Sequence, residues 1–370
     1  MNKWKKCKLG DALNFRRGHD LPKSSMIEGE VPVAGSNGVI GYHNVSTPIS
    51  PCITIGRSGN VGTPYIYDKC WAHNTVLYID DYKGNHPRYL YYLLKNLPLA
   101  SFGGGSAVPT LNRNHIHPIE ISLPPLTEQK RIADILSAID DKIELNRRIN
   151  ANLEQQAQAL YRSWFVDFEP WGGKMPEDWR VGTISNIVDL LNGFAFKSSD
   201  FVEKGLYKLI TIKGVQDGNM SLDGADCLDI IPPKMPQWCK LKKEDILLSL
   251  TGNVGRCCLV DTENCLLNQR VAKLHPKEEY NRLFVYALFR QEDMKARMIS
   301  IARGTAQMNL SPIETGKLPL IIPSNEVLKD FGNRFNNIIH TLTNNIVESS
   351  YLAQLRDTLL PKLMSGGIKV

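Results

Sequence analysis

The sequence contains no run of about 18 apolar residues, no CxxC pair among its eight cysteines and no Gly-Lys-Ser/Thr phosphate loop. The first absence excludes a membrane-spanning helix, and the polar start Met1-Asn2-Lys3-Trp4-Lys5-Lys6 lacks the apolar centre of a secretion signal. A cytoplasmic protein with no membrane partner is expected. The second argues against a zinc site, because Cys7, Cys52, Cys70, Cys227, Cys239, Cys257, Cys258 and Cys265 are spaced as core-filling thiols rather than as metal ligands. Gly-x-Ser-x-Gly and His-Glu-x-x-His are missing, and the glycine-rich Phe102-Gly103-Gly104-Gly105-Ser106 has no lysine where a nucleotide loop needs one. An enzyme that holds a flipped adenine needs an Asn-Pro-Pro-aromatic loop or its equivalent. The only Pro-Pro pairs, Pro124-Pro125 and Pro232-Pro233, sit in other contexts. His115 and His117 alternate as strand residues do, and a surface or core role suits them better than a metal. The expectation is a chain with no catalytic centre, metal or cofactor of its own.

What is present is the composition of a folded protein, with 42% hydrophobic and 22% charged residues, and at 370 residues the chain is long enough for two cores. Its net charge of +6 is unevenly spread: residues 1–126 carry 13 Lys+Arg against 8 Asp+Glu, and residues 169–324 carry 20 against 19. The first block is therefore the basic one, as suits a polyanionic partner whose counterions are released on binding.

The main signal is an internal duplication. Arg57-Ser58-Gly59-Asn60-Val61-Gly62 recurs as Leu250-Thr251-Gly252-Asn253-Val254-Gly255, and Gly105-Ser106-Ala107 recurs as Gly304-Thr305-Ala306. Earlier in each copy, Asn14-Phe15-Arg16-Arg17-Gly18 resembles Leu191-Asn192-Gly193-Phe194. The echoes are collinear, which implies two divergent copies of one fold and two similar surfaces free to recognise different things.

Within each copy, short β-rich runs alternate with turn residues: Pro51–Gly56 and Val76–Ile79 in the first, Asp245–Leu250 and Arg270–Leu274 in the second. Helices are predicted at 87–97 and from Asn281 to Met298. From Thr127 to Phe165 there is neither Gly nor Pro, and apolar residues step by three and four through Ile132, Ile135, Ile139, Ile149, Leu153 and Leu160, with Asn146 and Gln156 interrupting. That is one rod of about 58 Å. The tail repeats the pattern through Phe331, Phe335, Ile338, Leu342, Leu352, Leu359 and Leu363, with Asn345 and Ser349 interrupting. The fold class predicted is α+β, two similar α+β domains joined by two long antiparallel coiled-coil helices. The segments are 1–126, 127–168, 169–324 and 325–370. The helix-pair seam is expected at Ile132, Ile139, Asn146, Leu153 and Leu160 on one rod and at Ile338, Leu342, Asn345, Leu352 and Leu359 on the other, the asparagines fixing register.

Leu123-Pro124-Pro125-Leu126-Thr127-Glu128-Gln129-Lys130-Arg131-Ile132, followed by Ile139-Asp140-Asp141-Lys142-Ile143 and by Trp164-Phe165-Val166-Asp167-Phe168, strongly resembles the central region of specificity subunits of type I restriction-modification systems. The resemblance covers essentially the whole chain. It implies two target recognition domains, each reading half of a split site in double-stranded DNA, with the helix pair setting the spacer. It also implies partners: two DNA methyltransferase subunits docked on the helices, and motor-nuclease subunits joining that core. S-adenosylmethionine, ATP and Mg would belong to those partners. The second helix departs from the pattern, with Pro323-Ser324-Asn325-Glu326-Val327 at its start and Leu363-Met364 at its end.

Base edges are read by paired donors and acceptors, Arg for guanine and Asn or Gln for adenine, presented from loops on a rigid frame. The DNA-binding candidates are Arg16, Arg17, Asn37, Arg57, Ser58, Asn60, Arg113 and Asn114 in the first copy. Lys197, Lys213, Asn253, Arg256, Asn268, Gln269, Arg303, Gln307 and Asn309 are those in the second. The loops Gly59–Gly62 and Gly252–Gly255 either bring backbone amides to a phosphate or serve as tight hairpin turns. The alternative function is a duplicated protein-protein scaffold that does not read DNA.

Overall fold

The computed structural model describes residues 4–104, 109–304 and 307–370. The echo Gly105-Ser106-Ala107 and its partner residues Thr305 and Ala306 lie outside them. The chain divides into two compact units, one formed by residues 1–143 with 351–370, the other by residues 144–350.

In the first unit, a four-stranded sheet has the order Asn14–Arg17, Val76–Asp81, Cys52–Gly56, Pro64–Tyr67, all antiparallel. A three-stranded sheet places Val31–Gly35 between Gly38–His43, antiparallel, and Trp71–Ala72, parallel. Lys5–Lys8 pairs with Glu120–Leu123 just before the long helix. The second unit repeats this order. Its four-stranded sheet runs Val188–Asn192, Val271–Pro276, Ile246–Ser249, Cys257–Leu259, and its three-stranded sheet places Tyr207–Ile210 between Cys227–Leu228, antiparallel, and Cys265–Leu267, parallel. Arg180–Thr183 pairs with Pro319–Ile322. Strands form where β-branched and aromatic residues run unbroken between turns. The strands Cys52–Gly56 and Ile246–Ser249 are buried on both faces: Ile53, Ile55, Ile246 and Leu248 share cores with helix residues, while Cys52 shares a core with Ala34 and Ala72, and Leu247 with Ile210 and Leu267, of the three-stranded sheets.

The central helix spans Leu126–Phe165. Its start is docked by Gln129, which is buried: Oε1 accepts from His86 N at 2.9 Å, and Nε2 donates to Asn85 Oδ1 at 2.9 Å and Pro124 O at 3.0 Å. In the first unit, Ile132, Ala133 and Leu136 share a core with Leu360, Leu363 and Met364. In the second, Ala157, Tyr161 and Phe165 share one with Phe331, Ile339 and Leu342. Within the first unit Ile132 and Leu136 share a core with Leu360 and Leu363 while Asp140 meets Arg356, and within the second Asn146 meets Glu348 while Asn150 meets Leu342, so in each unit the two helices pack antiparallel. Also in the second unit, Asn146 Nδ2 donates to Glu348 Oε2 at 2.8 Å, Asn150 Nδ2 to Leu342 O at 3.0 Å and Asn345 Nδ2 to Asn150 Oδ1 at 2.8 Å. A polar layer of this kind pins register, since any slip would bury amides without partners.

Several expectations need correction. The tail is not one rod: Asn325–Phe335 and Asn337–Met364 are separate helices. Asn336 breaks them, its side chain accepting from Leu283 N at 3.0 Å and donating to Glu279 O and Tyr280 O at 3.3 Å. The helix expected from Asn281 to Met298 is likewise two, Arg282–Arg290 and Glu292–Ile301, divided at an extended Gln291. His115 lies in the short helix Arg113–Ile116 and His117 closes it, so neither is a strand residue. On the central helix Ile135 and Ile149 are exposed and Ile139 only half-buried, while Ala133 and Ala157 face the cores. Leu153, Leu160, Ile338, Leu352 and Leu359 are half-buried. Seven of the eight cysteines are buried, Cys52 and Cys70 with sulfurs 2.8 Å apart.

Candidate nucleic-acid interface

Each unit carries the same loop frame at one end of its four-stranded sheet, and its hydrogen bonds can be matched one for one. In the first unit, Gly62 N donates to Gly56 O, Arg57 N to Thr75 O, Gly59 N to Pro109 O and Leu111 N to Arg57 O, between 2.8 and 3.2 Å. In the second, Gly255 N donates to Ser249 O, Leu250 N to Arg270 O, Gly252 N to Met308 O and Leu310 N to Leu250 O, between 2.7 and 3.0 Å. The bridge between Ser58 and Thr110 recurs between Thr251 and Asn309. Glycine is required at Gly59, Gly62, Gly252 and Gly255 because their φ angles of 84°, 80°, 74° and 80° lie in the left-handed region. A further pair is set by close approach: a Cβ on Gly18 would overlap the carbonyl oxygen of His73, and one on Gly193 that of Asn268. These contacts hold the parallel bridges His19 to His73 and Phe194 to Asn268.

The frame gathers some of the predicted residues and spreads others. In the first unit, Arg16, Arg17, Arg57 and Arg113 line one cavity of about 410 Å³ with Leu77, Leu111 and Asn112. Arg113 Nη1 donates to Phe15 O at 3.0 Å, Arg57 Nη1 to Asn74 O at 3.4 Å, and Arg16 Nε lies 3.8 Å from Asp80. The strand register puts Arg16 and Arg17 opposite Tyr78 and Leu77, beside the strand that feeds Arg57. Asn112 was not among the candidates; its side chain caps the short helix by accepting from Asn114 N at 2.9 Å, and an Asn ahead of Arg-Asn is the cue for such a cap. Ser58 and Asn60 sit on the loop, Asn60 Oδ1 accepting from Thr63 Oγ1 at 3.2 Å, and Asn114 is exposed. Asn37 is exposed at the turn of the hairpin Val31–His43, whose Ser36 Oγ lies 3.8 Å from where a Cβ on Gly59 would stand.

In the second unit two candidates are used by the frame itself. Asn309 Oδ1 accepts from Thr251 Oγ1 at 3.0 Å while its Nδ2 donates to Gln307 O at 3.1 Å, and Asn268 Oδ1 accepts from Arg270 N at 3.2 Å. Arg256 reaches Gln216 Oε1 at 2.8 Å, and Gln216 Nε2 in turn donates to Lys213 O at 2.6 Å. Lys197, Lys213, Asn253, Gln269, Arg303 and Gln307 are exposed. Arg270, absent from the candidates, is exposed beside Gln269; the run Asn-Gln-Arg before a strand is the signal that would have included it. Among the described residues no group of three or more His, Cys, Asp or Glu is placed to hold a metal, and no helix is long and apolar enough to cross a membrane.

Comparison with known proteins gives the same architecture. The chain is similar to the HindI specificity subunit of Haemophilus influenzae, a type I restriction enzyme subunit, with 24% identity over 70% of this chain and 71% of that one. It is 29% identical to the MjaVIII specificity subunit of Methanocaldococcus jannaschii over 76% of this chain and 70% of that one. The crystal structure of the type I restriction-modification S subunit from M. genitalium shares the fold, with a TM-score of 0.68 at 19% identity over 98% of this chain and 96% of that one. The profile of the type I restriction modification DNA specificity domain matches twice, over residues 1–155 and 176–348. The chain therefore belongs to the type I restriction-modification DNA specificity family, with one match to the family in each half of its length.

Proposed function

We propose that this chain is the DNA-reading subunit of a type I restriction-modification complex, each unit reading one half of a bipartite target. The observation that carries this reading is the duplicated loop frame: two surfaces with the same backbone hydrogen bonds present different polar side chains, as two readers of different half-sites require. The central helix and the helix Asn337–Met364 each run from one unit into the other, and their length sets the unspecified spacer. Two DNA methyltransferase subunits dock on the helix pair, and motor-nuclease subunits join them. S-adenosylmethionine, ATP and Mg act in those partners, and this chain decides where they act.

The test is to map methylated adenines in DNA from cells carrying this chain with its methyltransferase. The expected result is one motif of two short specified parts separated by a gap of constant length. A single contiguous motif, or methylation independent of this chain, would overturn the assignment.

A further inference from the structure

We propose that the cavity ringed by Arg16, Arg17, Arg57 and Arg113 seats a backbone phosphate of the bound DNA, and that the second unit has no equivalent seat, so the two half-sites are gripped unequally. The inference rests on the DNA-reading function above and adds a site and an asymmetry to it.

Four arginines line one cavity of about 410 Å³, and none of its described lining residues is acidic. Asp80, 3.8 Å from Arg16 Nε, lies outside that lining. Four like charges around one cavity repel one another, and an anion seated there relieves that repulsion. A base edge offers one guanidinium a pair of neutral acceptors, whereas a phosphate offers charged oxygens to several donors at once. Backbone carbonyls already orient two of the four, Phe15 O at 3.0 Å from Arg113 Nη1 and Asn74 O at 3.4 Å from Arg57 Nη1. The arrangement is prepared before the ligand arrives.

The matched frame identifies what stands at the same four places in the second unit. Arg16 opposite Tyr78 and Arg17 opposite Leu77 correspond to Leu191 opposite Lys273 and Asn192 opposite Ala272. Arg57, whose carbonyl accepts from Leu111 N, corresponds to Leu250, whose carbonyl accepts from Leu310 N. Arg113 opens a short helix behind the cap Asn112 as Pro312 does behind the cap Ser311. No cation occupies any of the four. The second unit's Arg256, Arg270 and Arg303 stand at the places of Thr63, Thr75 and Gly104 instead, and Arg256 is held by Gln216 at 2.8 Å.

The experiment uses the full chain with its methyltransferase partner and a labelled duplex carrying the mapped target, and measures affinity across a salt series. The double variant R17Q/R57Q should lower the slope of log affinity against log salt by about two and weaken binding at least about tenfold, with the preferred sequence of both halves unchanged. The charge-conserving R17K/R57K should keep the slope. An unchanged slope with relaxed preference in the first half-site would make these arginines base readers, and an unchanged slope with unchanged preference would put the cavity off the DNA. Equal loss of slope in the lysine variant would show that charge is not what the cavity contributes. Each of these three results overturns the proposal while leaving the reading function intact. Failure of the unaltered complex to bind the duplex in a salt-dependent way would sink that function and the proposal together.

Discussion

Gly18 and Gly193 do the same job in two units whose neighbouring residues differ: each lets one strand end pass against the backbone of another, under His73 in the first unit and under Asn268 in the second. One residue later the first unit continues with His19 and the second with Phe194. The comparison teaches that the frame is written in backbone contacts, which tolerate little, and the surface in side chains, which tolerate much. It can be broken most directly at the glycines. Gly18→Ala and Gly193→Ala should each cost about 4 kcal/mol and lower the unfolding transition of its own unit, read by hydrogen exchange in that unit. Indifference at one glycine and collapse at the other would show that the two frames are not alike.

The helices supply a second comparison. Leu342 is 2% exposed in the second unit's core, whereas Ile139 is half-buried in the first unit. Leu342→Asp should cost about 3 kcal/mol, since the carboxylate would be buried without a partner, and Ile139→Asp about 1 kcal/mol. Equal costs in thermal unfolding would mean that Ile139 is covered in solution by something beyond its own unit.

These differences mark where the sequence is legible. The strands Cys52–Gly56 and Ile246–Ser249 and the helix Leu126–Phe165 could be read from apolar runs and from missing Gly and Pro, because those patterns act locally. The break at Asn336 could not, since asparagine is unremarkable within a helix and the bonds that stop it come from Glu279, Tyr280 and Leu283. Nor could the true buried face of the central helix, because alanines at 133 and 157 are small enough for close packing and carry no periodic signal of their own. At the interface, residue type pointed to Arg16, Arg17, Arg57 and Arg113, but that they line one cavity depends on strand register. Asn268 and Asn309 looked like readers for the same reason and are tied into the frame by backbone and hydroxyl partners.

Two smaller tests sharpen the contrast between units. Gln129, with three hydrogen bonds, stands where the second unit has the buried Leu328, one turn into each helix. Gln129→Leu should therefore cost the first unit about 1–2 kcal/mol in denaturant unfolding, because His86 N and Pro124 O lose their partner. No cost would mean that the apolar solution suits both. The weakest effect concerns pH. Burial holds the rings of His73, His86 and His117 in the first unit below the ordinary imidazole value, and His117 Nε2 accepts from Phe15 N at 3.2 Å, which requires the neutral ring. The folded state thus binds protons less readily than the unfolded one. The stability these rings contribute is present above the unfolded value near 6.5 and is lost as pH falls through the lower folded values. Hydrogen exchange at successive pH values should show the first unit loosening on acidification, and His117→Gln should reduce that dependence.

The break at Asn336 has a consequence for inheritance. The three bonds that end one helix and admit the next come from the segment Glu279–Leu283, so a recognition segment transplanted from a relative arrives with its own way of seating the tail. A chimaera whose junction separates Asn336 from that segment inherits an unmatched latch. One that moves both together exchanges a vocabulary while keeping the grammar that spaces it.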